Sequence, residues 1–290
     1  IPKYYKNLNN IENSWELNIG LPAAKLNEDK IIGKYTNVVH FAWIISNTNE
    51  KIKMTNYLSF FAKQGQAKPD FLNIRPEVAA QSFGFIQSSM LDYGAYTVVD
   101  IGASTLDICV FNYVDIDKDD NDKQALFTAN VDLLGAESIN WIKIVNKQFN
   151  KKFIENDLQK SIQSSLHTSL INTKTTRAST LREWDNIMPI IICGGGKSSK
   201  LHLNALNNCK KTWNNIASGM RGNLSFINTS LPENLKVKCQ KNQYHRLSVA
   251  WGLSIEQDLF AKVELPTDIQ DLPRYRIIDI TDRYVGAEHI

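Results

Sequence analysis

Between Val99 and Ile108 the chain reads Val-Asp-Ile-Gly-Ala-Ser-Thr-Leu-Asp-Ile, and these ten residues constrain its fold more than any other segment. An apolar strand delivers Asp100 to a tight turn, and a second strand carries Asp107 away. Gly102 lets backbone approach a ligand closely, where a Cβ would obstruct it. Successive backbone N–H groups in such a turn can form an anion-binding concavity. The hydroxyls of Ser104 and Thr105 add neutral donors. Asp100 is placed to hold a hydrated Mg²⁺ through its waters, the mode this ion prefers. Ordinary hairpin turns also favour Asp, Gly and Ser. They do not need a carboxylate on both flanks, and the order Asp-x-Gly-x-x-Thr-x-Asp supplies one on each.

A second element runs from Pro189 through Ile190, Ile191, Ile192 and Cys193 to Gly194-Gly195-Gly196-Lys197-Ser198-Ser199, followed by Leu201, Leu203 and Leu206. A buried strand ending in glycines at the start of a helix lets a nucleotide lie on bare backbone beside a helix N-terminus. Gly196-Lys197-Ser198 suggests a Walker P-loop, but that motif needs glycine five positions before its second glycine, where this chain has Ile191. The alternative, a glycine-rich turn without a ligand, stays open.

Around these elements strands and helices alternate, which predicts an α/β fold. Trp15 to Ala24 reads as a strand, and residues 37–46 as a run too short for periodicity to decide between strand and helix. Phe71 to Arg75 reads as a strand, with Pro76 as the first residue of a helix running over Glu77 to Leu91. Strands are expected at Tyr96 to Asp100, Leu106 to Tyr113, Ala125 to Leu133 and Pro189 to Cys193. Helix is expected after Gly135, over much of 156–186, and over 199–209.

Net charge is +3, spread along the chain, which gives no electrostatic footprint for nucleic acid. The longest apolar runs, near 38–45 and 188–193, are far short of a membrane span. No leader pattern precedes the first strand. The chain opens at Ile1 rather than at a methionine, so an upstream portion is expected. Cys109, Cys193, Cys209 and Cys239 stand singly, without zinc spacing, and read as reduced, mostly buried thiols of a cytoplasmic protein. Asp115, Asp117 and Asp119 imitate the opening of an EF-hand, but Asp120 and Leu126 stand where its glycine and glutamate belong. The five histidines are scattered, and no G-x-S-x-G elbow motivates a hydrolase.

Taken in order, the two glycine-containing elements resemble the second phosphate motif and the adenosine motif of the actin, heat-shock-chaperone and sugar-kinase ATPase superfamily. Three further stretches fall where that family would have them. Arg75 to Ala80, through Phe83-Gly84, resembles the first connecting helix. Leu134-Gly135-Ala136-Glu137-Ser138-Ile139-Asn140 resembles a chaperone segment. Arg246 to Gly252 resembles the second connecting helix. Thr105-Leu106-Asp107-Ile108 and the Pro76-Glu77 order look more like plasmid-segregation actins. The resemblance covers residues 71–254.

It implies an actin-like, ribonuclease H-like fold, a mixed sheet flanked by helices, with the first lobe incomplete. Residues 1–75 would be a remnant of that lobe, 76–265 the second nucleotide-binding lobe with its connecting helices, and 266–290 a C-terminal segment. ATP or ADP with Mg²⁺ would be the cofactor. Gly102, Ser104 and Thr105 would contact the β- and γ-phosphates, Asp100 would serve Mg²⁺, and Gly194, Gly195 and Gly196 the adenosine and α-phosphate. Ala103, Asp107, Gly135, Glu137 and Lys197 complete the expected nucleotide set. Glu77 would orient the attacking water, although gap-free alignment on Gly84 puts Arg75 at the corresponding chaperone position. The first phosphate motif is not found, and the short interval from Gly135 to Gly194 implies a reduced adenine-clamping subdomain.

The parent would be a slowly hydrolysing conformational switch with a protein partner or self-assembly. A non-catalytic scaffold of the same fold and a small-molecule kinase remain the alternatives.

Overall fold

The apolar runs on either side of the 102–105 turn become the two central strands of a six-stranded mixed sheet. The structure, a computed structural model, describes residues 16–23, 26, 28–47, 55, 59, 68–86, 92–114, 122–148, 150–216, 221–227, 231–232, 235–236, 238, 240–256 and 260–270. The first part comprises β1 (Leu17–Leu21), α1 (Asp29–Asn47) and β2 (Leu72–Pro76), with β1 and β2 paired in parallel. Then come α2 (Glu77–Ile86), β3 (Gly94–Ile101), β4 (Leu106–Val114), β5 (Lys123–Asp132), α3 (Ala136–Val145) and α4 (Lys151–Asn172). After them stand β6 (Ile187–Cys193), α5 (Lys200–Ile216), β7 (Asn223–Ile227), α6 (Ser248–Leu253) and β8 (Lys262–Glu264).

The sheet order is β7-β6-β3-β4-β5-β8. β3, β4 and β5 form an antiparallel meander. β6 then joins the far side of β3 in parallel, and β7 follows it. This is the ribonuclease H-like arrangement that the sequence leads one to expect.

Strand alternation sorts the core into two layers, because neighbouring side chains leave opposite faces of a sheet. Val99, Ile101, Leu106, Ile108 and Val110 pack with Ile162, Leu166, Leu206 and Trp213 of α4 and α5. Tyr96, Val98, Cys109 and Phe111 pack with Ala79, Ala80, Phe83 and Phe85 of α2. By the same alternation Asp100 and Asp107 leave the sheet on the α2 side, at its edge.

Several boundaries differ from the sequence reading. Pro76 ends β2 and the helix begins at Glu77, because residues 72–76 extend the pairing with β1 as far as Leu21↔Pro76. Residues 37–46 belong to a helix of 19 residues, too long for a strand. Two helices rather than one follow Gly135; Asn150 starts the second by accepting a bond from the Lys152 amide at 2.9 Å. β7 and β8 have no counterpart in the sequence reading. Residues 87–91, most of the acidic 115–122 stretch and Cys239 lie outside the described residues. Cys109, Cys193 and Cys209 are buried free thiols. Among the described residues no helix is long and apolar enough to cross a membrane.

α2 and α6 cross beneath the sheet with backbone against backbone. A Cβ on Gly252 would stand 1.6 Å from the Ala80 carbonyl oxygen, and one on Gly84 2.8 Å from the Ser248 carbonyl oxygen. Tyr244 locks the crossing by donating its hydroxyl to the Gly84 carbonyl at 3.0 Å. Gly33, exposed in α1, has nothing within 4 Å of the corresponding point. The same substitution should therefore have opposite signs at the two sites. Gly252→Ala should cost about 3 kcal/mol or more by overpacking, and Gly33→Ala should stabilise by roughly 0.5–1 kcal/mol, both read by chemical denaturation.

Candidate functional site

Asp100 and Asp107 are directly opposite partners in the β3–β4 ladder. Like charges facing each other across strands destabilise a sheet, so this pair is not explained by folding. Glu77, the first residue of α2, lines the same crevice together with Pro22, Ala23, Gln81 and Asn130. The space enclosed is about 30 Å³, enough for a water or two between the carboxylates.

Gln81 is buried and holds Asp100 by donating from Nε2 to Oδ2 at 2.7 Å. Thr105 donates its hydroxyl to Asp107 Oδ2 at 2.8 Å, and Asp107 Oδ1 is buried without a partner among the described residues. All three acids bind their protons more tightly than usual. For Glu77 burial of the carboxyl comes first, then the charges of Asp100 and Asp107. Burial raises Asp100 against the opposing Gln81 bond. Asp107 is pushed up to about 6, by burial first, with the Thr105 bond opposing and the charges of Asp100 and Asp132 adding. A raised carboxyl contributes stability that is full below its unfolded pKa and lost as pH rises through about 6, so at neutral pH the cluster is strained. A cation would relieve it. Among the described residues no three His, Cys, Asp or Glu side chains meet in metal-ligating geometry.

Beside the acids, the 102–105 turn is held by the start of α3. The amides of Gly135, Ala136 and Glu137 donate to the carbonyls of Ser104, Gly102 and Ala103 at 3.1, 3.0 and 2.8 Å. Ser138 adds its amide to Ala103 and its hydroxyl to the Ser104 carbonyl at 2.9 Å. A Cβ on Gly135 would lie 2.4 Å from the Ala103 oxygen, so only glycine admits this approach. With the carbonyls drawn to the helix, the amides of Ala103, Ser104 and Thr105 have no hydrogen-bond partner among the described residues. Ala103 and Ser104 are exposed. The turn thus offers amides to an anion.

The glycine loop after β6 completes the site. Gly194 has φ +84° and packs on Asp100; a Cβ there would stand 2.1 Å from Asp100 Oδ1. Gly196 packs on Ile101, with its amide donating to the Ile101 carbonyl at 2.7 Å. Gly195 alone is exposed, and only the Arg246 guanidinium comes near it, 3.9 Å from the point where a Cβ would lie. Lys197 is half-buried, and burial lowers its pKa.

The structure therefore brings Glu77, Asp100, Asp107, the 102–105 turn, Gly135 and Gly194–Lys197 to one edge of the sheet. Glu137 is exposed in the first turn of α3, outside the residues that line the acidic crevice. Arg75 is not in the crevice: its guanidinium is buried, bonded to the Ile255 carbonyl at 2.8 Å and stacked over Phe260. Gln81 and Arg246 were missed as site residues. The spacing of Gln81 four positions after Glu77, on one helix face, could have found the first. Nothing local marks Arg246.

No protein-family model and no curated protein matches the sequence. Solved structures resemble it at low identity. A non-polymerisable quadruple mutant of pCBH ParM is 14% identical over 82% of this chain and 66% of its own, with a TM-score of 0.41. An archaeal actin homologue, Ta0583, in complex with ADP is 15% identical over 66% and 58%, TM-score 0.35. A PilM–PilN type IV pilus biogenesis complex is 14% identical over 62% and 51%, TM-score 0.37. The likeness spans between half and two thirds of the length of each of these chains. What decides the fold is the strand order of the sheet with the two helices crossing beneath it. The chain has a ribonuclease H-like fold, a mixed sheet flanked by helices.

Within this framework one buried histidine ties the turn region to the glycine loop. His202, on α5, bonds the Leu134 carbonyl through Nε2 at 2.7 Å and the Ser199 hydroxyl through Nδ1 at 2.8 Å. A carbonyl only accepts, so Nε2 carries the proton and Nδ1 accepts from Ser199. Burial lowers the His202 pKa, against the Leu134 bond, and the Lys143 charge adds to the lowering. The neutral ring is thus favoured by folding, and its contribution is lost as pH falls below the ordinary value of 6.5. Asp107 acts in the opposite sense over the same range, so the check is a difference: in urea denaturation the stability advantage of the wild type over His202→Gln should shrink between about pH 7.5 and about pH 5.5.

Proposed function

We propose that this chain carries the greater part of a nucleotide-binding lobe, taking ATP or ADP with Mg²⁺ in the cleft at the edge of its large sheet. The observation that carries the reading is a turn whose amides at Ala103, Ser104 and Thr105 lack hydrogen-bond partners among the described residues, directly beside a cross-strand pair of aspartates. One feature attracts phosphate and the other a cation, and MgATP combines both.

In this reading residues 1–75 belong to a first lobe, 76–265 to the second with its connecting helices, and 266–290 to a C-terminal segment. The amides and hydroxyls of Gly102 to Thr105 hold the β- and γ-phosphates. Asp100, kept in place by Gln81, holds the waters of Mg²⁺, with Asp107 on the opposite strand. The bound ion supplies neutralisation of phosphate charge. Gly195 between Gly194 and Gly196, with Lys197, receives the adenosine and α-phosphate, and Gly135 and Glu137 border the phosphate turn. Glu77 orients the water that attacks the γ-phosphorus. Phosphoryl transfer depends mainly on position and charge, so the absence of a strong nucleophile among these residues is no obstacle.

Slow hydrolysis would serve a conformational switch, with the α2–α6 crossing as the joint between the β1–β2 unit and the large sheet. Such a switch requires different nucleotide affinity in its two states. A protein partner or a second copy would read the state. Three buried free thiols suit a reducing, cytoplasmic compartment.

The test is thermal unfolding with and without MgATP, beside Asp100→Asn. Ligand at a hundred times its Kd stabilises by about 2.7 kcal/mol, which for a chain of this size raises Tm by roughly 5–10 °C. Asp100→Asn keeps the Gln81 bond and removes a repelling charge. Its unliganded Tm should equal or exceed that of the wild type, while the nucleotide shift disappears. An undiminished shift in the variant, or none in the wild type at millimolar MgATP, would sink the assignment. A shift without phosphate release would put the scaffold reading ahead.

A further inference from the structure

Three amides of the glycine loop are used inside the protein. Gly194 gives its amide to the His245 carbonyl at 3.1 Å, Gly196 to that of Ile101 at 2.7 Å, and Lys197 to that of Gly194 at 3.2 Å. The Gly195 amide has no hydrogen-bond partner among the described residues, and Gly195 is exposed.

Arg246 stands over this opening. It ends a short 3₁₀ helix (Lys241–Arg246), and the bond from Gly194 to the preceding residue, His245, fixes that end against the loop. The guanidinium is exposed and makes no hydrogen bond or ion pair among the described residues. Nε and Nη2 each lie 3.9 Å from the point where a Gly195 Cβ would stand, and no other heavy atom outside residues 194–196 comes within 4 Å of it. Were the flat face of the group turned to the glycine, Cζ, which lies between the two nitrogens, would be about as near as they are. The edge is therefore turned to it. That edge is the fork that grips two oxygens of one phosphate or carboxylate, whereas stacking on a nucleobase uses the face.

The surroundings select the anion. The Gly196 Cβ position meets Ala136 at 3.0 Å, and Ala136 gives its amide to Gly102 of the phosphate turn at 3.0 Å. The free amide and the free guanidinium thus lie next to the turn assigned to the β- and γ-phosphates, on the glycine-loop side, where the same chain of phosphates continues.

We propose that Arg246 reads the α-phosphate of the bound nucleotide, gripping two of its oxygens through Nε and Nη2 while the Gly195 amide donates to it. Arg246 thereby sets the preference of the site for nucleotides over nucleosides, a role that rests on the nucleotide reading of this cleft.

The test is isothermal titration of the whole chain with adenosine, AMP and MgADP, for the wild type, Arg246→Gln and Arg246→Lys. AMP carries a phosphate at this position alone, so its affinity isolates the contact from Mg²⁺ and from the 102–105 turn. Arg246→Gln should weaken AMP and MgADP by about tenfold or more and leave adenosine within about twofold. Arg246→Lys keeps the charge without the fork and should fall between. Unliganded unfolding should not change, since the guanidinium has no partner to lose. An equal loss for adenosine would assign the guanidinium to the base and overturn the proposal. So would indifference of AMP and MgADP to Arg246→Gln, or a wild type that takes AMP no more tightly than adenosine. Each of these leaves the nucleotide reading standing, whereas a wild type that takes none of the three at millimolar concentration overturns both.

Discussion

The rest of the site depends on the hold that the start of α3 has on the 102–105 turn. A helix leaves its first amides without intrahelical partners, and here they are given to the carbonyls of the turn. The exchange settles two structures at once. It caps a helix whose N-cap, Gly135, has no side chain to offer, and it fixes which way the turn's peptide groups point. With those carbonyls taken, the amides of Ala103, Ser104 and Thr105 are left without hydrogen-bond partners among the described residues. A side chain at Gly135 would separate the two, which is why glycine there matters more to this site than Gly102, whose Cβ position meets nothing closer than 3.3 Å.

The acidic crevice has the opposite energetic character. Asp100 and Asp107 face one another across the ladder, Glu77 adds its charge, and Asp107 keeps a buried oxygen without a partner. Each contact that does exist steers a carboxylate rather than neutralising it: Gln81 for Asp100, Thr105 for Asp107. Strain of this kind persists where the surrounding fold over-determines it, and such places gather at functional sites. The core layer beneath, Val98, Cys109 and Phe111 packed on α2, is what holds the strands in register against the repulsion.

Both crossing helices reach the edge of the sheet from below. α2 brings Glu77 and Gln81, and the segment entering α6 brings Arg246 beside Gly195 while His245 accepts the Gly194 amide at 3.1 Å. Their relative placement is set by Gly84 and Gly252, where backbone meets backbone. Ser248 lies at the same crossing, 3.4 Å from Gln81 Nε2. A change in the crossing would be felt at Asp100 through one side chain.

Local sequence determined a good deal. The alternation of apolar residues placed β3, β4 and β6, and the order Asp-x-Gly-x-x-Thr-x-Asp put two acids on one face of a hairpin, because strand period and turn chemistry are properties of neighbouring residues. The glycines at 194–196 announced a close approach. What they could not announce is that Gly194 and Gly196 are required by Asp100 and Ile101, leaving only Gly195 open. Tertiary structure alone decided that residues 37–46 are helical, that Arg75 turns away to Phe260, that β7 and β8 join the sheet, and that Arg246 reaches the glycine loop. Each depends on contacts between residues far apart in the chain, and no local periodicity encodes which distant backbone a side chain will meet.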